Sequence, residues 1–71
     1  MGNYSKFTIV MKNGIAYNIK VKGDYKIDEF IKEVIYNVNI GKCTTFDLCN
    51  KINDVSKVAI FHSEISSIEY D

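Results

Sequence analysis

The segment from Ile27 to Val38 has the hydrophobic spacing of one face of an α-helix. Its apolar residues recur at intervals of three and four, and most of the positions between them are charged or polar. The apolar positions are Ile27, Phe30, Ile31, Val34, Ile35 and Val38. The rest of the chain has the pattern of short strands, so we expect this helix to cover the apolar face of a sheet.

Two alternating segments joined by Asn13-Gly14 predict a β-hairpin. The segments are Lys6–Lys12 and Ile15–Lys22. In each segment apolar residues occupy every second position, and most of the residues between them are polar. A two-residue loop would put the two apolar sets on opposite faces, whereas a three-residue loop pairs Phe7 with Ile19 and puts them on one face. We therefore predict a type I turn closed by a G1 bulge, with the loop glycine in the left-handed conformation.

Further strands are predicted after the helix. They are Thr44–Asn50, Lys57–His62 and a short Ile68–Tyr70, with turns at Asn53-Asp54 and Glu64–Ser67. Both faces of the segment from Val58 to Phe61 are apolar, which indicates a central strand or one whose second face meets a partner.

The element order β-β-α-β-β(-β) predicts a single α+β domain over residues 1–71, with one helix packed on a curled antiparallel sheet. The alternative is a small SH3-like or Sm-like barrel with an inserted helix. A chain of 71 residues has a small core, so association with a partner or with a second copy would supplement its stability.

The charge composition argues against a protein whose main role is to coat nucleic acid. The formal net charge is zero, and all nine basic residues are lysines. Arginine, the preferred residue for planar recognition of phosphate and guanine, does not occur.

The sequence predicts a cytoplasmic protein with free thiols and no membrane span. No apolar run approaches the roughly 20 residues that a spanning helix needs, and the N-terminal segment does not have the apolar region of a signal peptide. Cys43 and Cys49 would be about 20 Å apart on one extended strand, which is too far for a disulfide.

The chemistry-bearing residues do not form a recognisable catalytic or metal motif. His62 is the single histidine, and Cys43 with His62 would be the only obvious nucleophile and base. Cys43, Asp47, Cys49 and His62 are candidate zinc ligands, but their spacing is not that of a usual zinc site. We therefore expect no enzymatic activity, no metal and no cofactor.

Two surfaces are candidates for binding. Lys6, Lys20 and Lys22 share the predicted outer face of the hairpin, with Lys12 at the turn, and they form a candidate nucleic-acid face. The same lysines would also discourage pairing at a sheet edge, and the predicted face carries no aromatic ring for base stacking.

The second surface is apolar. Phe61 and Ala59 point away from Val58 and Ile60, and Tyr36 falls outside the apolar stripe of the helix. If these side chains are uncovered, they are the best candidates for a protein interface.

The layout resembles that of small proteins from Firmicute phages and prophages. The residues that carry this resemblance are Lys12-Asn13-Gly14, Asp28-Glu29-Phe30-Ile31 and the ending Glu64-Ile65-Ser66-Ser67-Ile68-Glu69. The resemblance implies an accessory or counter-defence protein of a phage or mobile element, and it carries over no functional residue. We expect a non-enzymatic protein-interaction module whose partner is a host or phage protein, with a homo-oligomer as a further possibility.

A local likeness leads to the alternative function. Residues 61–68 resemble the C-terminal end of bacterial Sm-like RNA chaperones in their apolar and serine positions. The Lys-His pair of those proteins is replaced here by His62-Ser63, and their N-terminal helix has no counterpart. The resemblance implies a nucleic-acid-binding Sm-like or SH3-like module that uses the face formed by Lys6, Lys12, Lys20 and Lys22, which we call the lysine face.

Overall fold

The computed structural model describes residues 3–36 and 41–71, and within them the helix covers one face of an open antiparallel sheet. The elements are β1 Tyr4–Met11, β2 Ala16–Lys22, α1 Ile27–Tyr36, β3 Cys43–Ile52, β4 Val55–Phe61, a 3-10 turn His62–Glu64 and β5 Ile65–Glu69. The strand order is β4-β3-β2-β1-β5. The predicted α+β fold is therefore confirmed, whereas the helix end predicted at Val38 lies outside the described residues.

The β1–β2 hairpin has the predicted register. Phe7 lies opposite Ile19, and both are buried. The Gly14 N–H donates to the Met11 carbonyl at 2.9 Å, and the Met11 N–H donates to the Ile15 carbonyl at 2.8 Å. Gly14 has φ +90°, as the predicted three-residue loop with its bulge requires.

The connection between β4 and β5 forces the sheet to curl. These strands lie at opposite edges, yet only the three residues of the 3-10 turn join them. Four residue steps span at most about 14 Å, whereas the edges of a flat five-stranded sheet lie roughly 19 Å apart. The curled sheet stays open, because β4 pairs only with β3 and β5 only with β1 in the described residues. The barrel alternative is therefore wrong.

Aromatic rings and aliphatic side chains fill the concave face. Ile9, Ile19 and Ile60 are almost completely buried. Phe30 inserts from the helix and meets the Phe46 ring edge-on, with 5.2 Å between the ring centroids. Phe30 is the one buried residue of the helix, and the partly buried Ile27 and Val34 pack against the same core.

Four predictions about the helix and the second half of the chain are wrong. The apolar segment Val58–Phe61 indicated a central strand or one whose second face meets a partner, and the central alternative is wrong because β4 lies at the sheet edge. The segment expected to be a turn, Glu64–Ser67, mostly belongs to β5, and His62 lies in the 3-10 turn rather than in a strand. Ile35, which the helical pattern assigns to the core, is 65% exposed and lines a groove between the helix and β5.

Replacing Gly14 tests the hairpin geometry. A Cβ at this position would meet no atom within 4 Å, so the cost of Gly14→Ala is conformational rather than steric. We expect a loss of about 1–2 kcal/mol in the free energy of unfolding, measured by urea denaturation. Gly14→Asn is the matched control and should lose less, because Asn tolerates positive φ better. Equal losses for the two variants would contradict this explanation.

Candidate interaction site

The structure separates the three residues that the sequence proposes as a protein interface. Ala59 and Phe61 lie two residues apart on β4, on the face opposite to the core residue Ile60. Phe61 is 52% exposed. Tyr36 ends the helix, which covers the other face of the sheet, and is 82% exposed. Ala59 and Phe61 therefore belong to one surface, at an open sheet edge, and Tyr36 belongs to another.

The lysine face is only partly assembled. Lys6 lies directly opposite Lys20, and Lys22 lies opposite Tyr4. The Lys20 Nζ lies 5.5 Å from the centroid of the Tyr4 ring. The expectation that this face carries no aromatic ring is therefore wrong, because β1 begins two residues earlier than the alternation suggests. Lys12 lies apart from the other three and lines a groove beside the helix.

Carboxylates interrupt the basic surface. Asp47 of β3 lies opposite Lys20, and its carboxylate is 3.8 Å from the Lys57 ammonium. At the other side of the hairpin, Glu69 lies opposite Thr8. The outer face of the sheet thus carries alternating charges rather than a continuous basic patch.

An apolar groove between α1 and β5 is the feature that the sequence did not reveal. It encloses about 380 Å³. Its apolar walls are Ile31, Val34 and Ile35 from the helix and Ile65 and Ile68 from β5, with Lys12 and three serines at its margins. The sequence assigns Ile31 and Ile35 to the apolar stripe of the helix and Ile65 to a turn, and only the structure shows that they line one groove.

His62 lies at one end of this groove and is 1% exposed. Its Nε2 is 2.8 Å from the Thr44 hydroxyl, and its ring meets Phe30 edge-on at 5.4 Å. The Nδ1 atom is buried and has no hydrogen-bond partner among the described residues. Burial lowers the pKa of His62 below its ordinary value; Glu33 opposes this shift, and Lys42 adds to it.

The candidate nucleophile and base do not meet. Cys43 lies opposite Phe61 in the β3–β4 pair and is exposed, whereas the next residue, Thr44, points to the core side and contacts His62. Cys49 is half-buried, and both thiols are free. Within residues 3–36 and 41–71, no three His, Cys, Asp or Glu side chains form a group that would hold a metal ion.

Comparison with known proteins finds no matching family model, no matching curated protein and no matching solved structure. In the described part of the chain, no helix has the length and apolar character needed to cross a membrane.

The burial of His62 predicts a pH-dependent stability. Because its pKa is lowered in the folded protein, the unfolded chain takes up a proton first as the pH falls below about 6.5. The free energy of unfolding should therefore be constant above this pH and should decrease below it, by at most about 1.4 kcal/mol per pH unit. Urea denaturation between pH 7.5 and pH 5 measures the slope.

His62→Asn is the control for this measurement, since it removes the titrating group and keeps a polar side chain of similar shape. We expect the variant to be less stable at pH 7.5 and to lose much less stability between pH 6.5 and pH 5. Glu33 titrates below this window because its hydrogen bond from Lys42 lowers its pKa. An unchanged slope in the variant would show that another group is responsible.

Proposed function

We propose that this chain is a small non-enzymatic protein-interaction module that binds an extended segment of a partner protein in the groove between α1 and β5. The groove, with its apolar walls beside an open strand, is the observation that carries the proposal. The resemblance to phage and prophage proteins supports the role of an accessory or counter-defence protein in the cytoplasm, with a host or phage protein as its partner.

The backbone of β5 supports strand addition. The Lys12 N–H donates to the Glu64 carbonyl at 2.8 Å, so the even-numbered residues of β1 direct their backbone groups towards β5. Thr8 and Glu69 therefore form a hydrogen-bonded pair, and Ile68, the neighbour of Glu69, directs its N–H and carbonyl to the open side. A partner strand placed there would extend the sheet by one strand.

The side chains of such a strand would alternate between the two sides of the sheet. Those on the helix side would enter the groove and cover Ile35, which is 65% exposed. The matching partner segment is extended and has apolar residues at every second position. An acidic residue near the Lys12 end would be favoured, because Lys12 lies at the margin of the groove.

Ile35→Asp tests this proposal. A tagged protein is used to capture the partner from a nuclease-treated host lysate, and the purified partner is then titrated calorimetrically with each variant. Ile35 is exposed and should tolerate Asp without loss of the fold, but a charge in an apolar groove should weaken binding by at least about tenfold. Tyr36→Asp is the matched control, because Tyr36 is the next residue along the helix, is 82% exposed and does not line the groove.

Full binding by the Tyr36→Asp variant together with lost binding by the Ile35→Asp variant would support the groove. Equal affinity of the Ile35→Asp variant and the unmodified protein would show that the groove is not the binding site. Thermal unfolding of both variants serves as the check that the fold is intact.

The second candidate function is binding of single-stranded nucleic acid. The pair Lys6 and Lys20, with Lys22 and the Tyr4 ring beside them, combines positive charge with a surface for base stacking. The neighbouring carboxylates of Asp47 and Glu69 weaken this surface, which is why we rank it second.

This alternative predicts a salt-dependent affinity for an oligonucleotide, measured by fluorescence anisotropy. Replacing Lys6, Lys20 and Lys22 together by Gln should reduce binding and lower the slope of log affinity against log salt by roughly 0.7 for each lost phosphate contact. Lys12→Gln is the matched control and should change little, because Lys12 lies on the helix side. Affinity that does not respond to salt would eliminate this function.

A further inference from the structure

The backbone of β4 is open along one side. In the described part of the chain β4 pairs with β3 alone. The His62 N–H donates to the Lys42 carbonyl at 2.9 Å, and this pair continues the β3–β4 register, in which Cys43 lies opposite Phe61. Because alternate residues of an antiparallel strand bond to the same neighbour, Ile60 and Val58 also bond to β3.

The residues of β4 that alternate with Val58 and Ile60 direct their backbone groups away from the sheet. These residues are Lys57, Ala59 and Phe61, and each presents one N–H and one carbonyl to the open side. The register from Asp47–Lys57 to Cys43–Phe61 is regular, so this edge is straight enough to accept another strand. Lys57 is its only charged residue, and it contains neither a proline nor an inward-pointing charge, the usual devices that prevent pairing.

We propose that β4 pairs with β4 of a second copy of this chain, antiparallel and about a two-fold axis, with Ala59 opposite Ala59 of the second copy. The two sheets would then form one continuous sheet of ten strands. This dimer is independent of the function proposed above, because it uses the opposite edge of the sheet from the groove.

The register follows from which residues have free backbone groups. With Ala59 at the axis, Lys57 lies opposite Phe61 of the second copy, and each of the three pairs is a hydrogen-bonded pair. A shift of two residues would instead place Phe61 opposite Val55, whose backbone pairs with Ile52 at the β3–β4 turn. The proposed register therefore engages every open backbone group of the three residues.

The side chains are also self-complementary in this register. Phe61 is 52% exposed and would receive the aliphatic stem and ammonium of Lys57 from the second copy. The two copies of Lys57 stay apart, and the small Ala59 side chain allows close approach at the axis. The zero net charge of the chain adds no long-range repulsion between copies.

Cysteine cross-linking tests the register directly. Both natural cysteines are first replaced by Ser, and the chain then carries either Ala59→Cys or Lys57→Cys. Paired residues at the axis have Cα atoms about 5.5 Å apart, within disulfide reach, whereas the two copies of residue 57 would be roughly 14 Å apart. We expect rapid formation of a covalent dimer on oxidation for Ala59→Cys and little for Lys57→Cys, read on a non-reducing gel.

Sedimentation equilibrium from about 1 µM to about 1 mM tests the dimer without cross-linking, since an interface this small gives weak affinity. Phe61→Lys places two like charges opposite each other and should shift the dissociation constant upwards by at least about tenfold. Tyr36→Lys is the matched control, because it changes another exposed aromatic residue outside the pairing and should leave the dissociation constant unchanged. Circular dichroism confirms that both variants are folded.

A monomer over the whole concentration range would overturn the proposal. So would a dimer that Phe61→Lys does not weaken, or one in which Lys57→Cys cross-links as readily as Ala59→Cys. The last result would show that the copies associate through a different register or a different edge.

Discussion

The three-residue link between β4 and β5 is the constraint on which the rest of the structure depends. It joins strands at opposite edges of a five-stranded sheet, so the sheet must curl. The curl creates the concave face in which Phe7 and Phe46 converge and into which Phe30 of the helix inserts. It also brings β5 to the edge of this face, where Ile65 and Ile68 line a groove together with residues of the helix. The groove is therefore a consequence of the same short link that forms the core, and not a separate addition to the fold.

The sequence predicts local pairing well because its hydrophobic period is strict there. The β1–β2 register followed from one requirement, that Phe7 and Ile19 share a face, and the structure confirms it. Strand order is different, because it is decided by contacts between distant segments. The continuous apolar run in β4 is compatible with either a central or an edge strand, and only the tertiary structure shows that Phe61 is at an edge.

The candidate sites show the same division between local and non-local information. Ala59 and Phe61 were predicted to share the face opposite to Val58 and Ile60, and alternation along one strand is sufficient to place them there. The groove needed the relative position of α1 and β5, so Ile35 was assigned to the core instead. The charge pattern of the lysine face also depended on strand order, since Asp47 lies opposite Lys20 only because β3 is next to β2 in the sheet.

The two proposals are compatible because the open edges differ in what they can accept. The β4 edge presents three residues with outward-facing backbone groups, which the proposed dimer would pair with the same residues of a second copy. The β5 edge adjoins apolar helix residues, which side chains of the proposed partner strand would cover. A dimer through β4 would leave the two grooves at the far ends of one ten-stranded sheet. The dimer would then bind two partner segments at once. An oligomeric partner would therefore bind more tightly to the dimer than to either groove alone. Loss of the β4 pairing should therefore weaken capture of an oligomeric partner while leaving the affinity for one isolated segment unchanged.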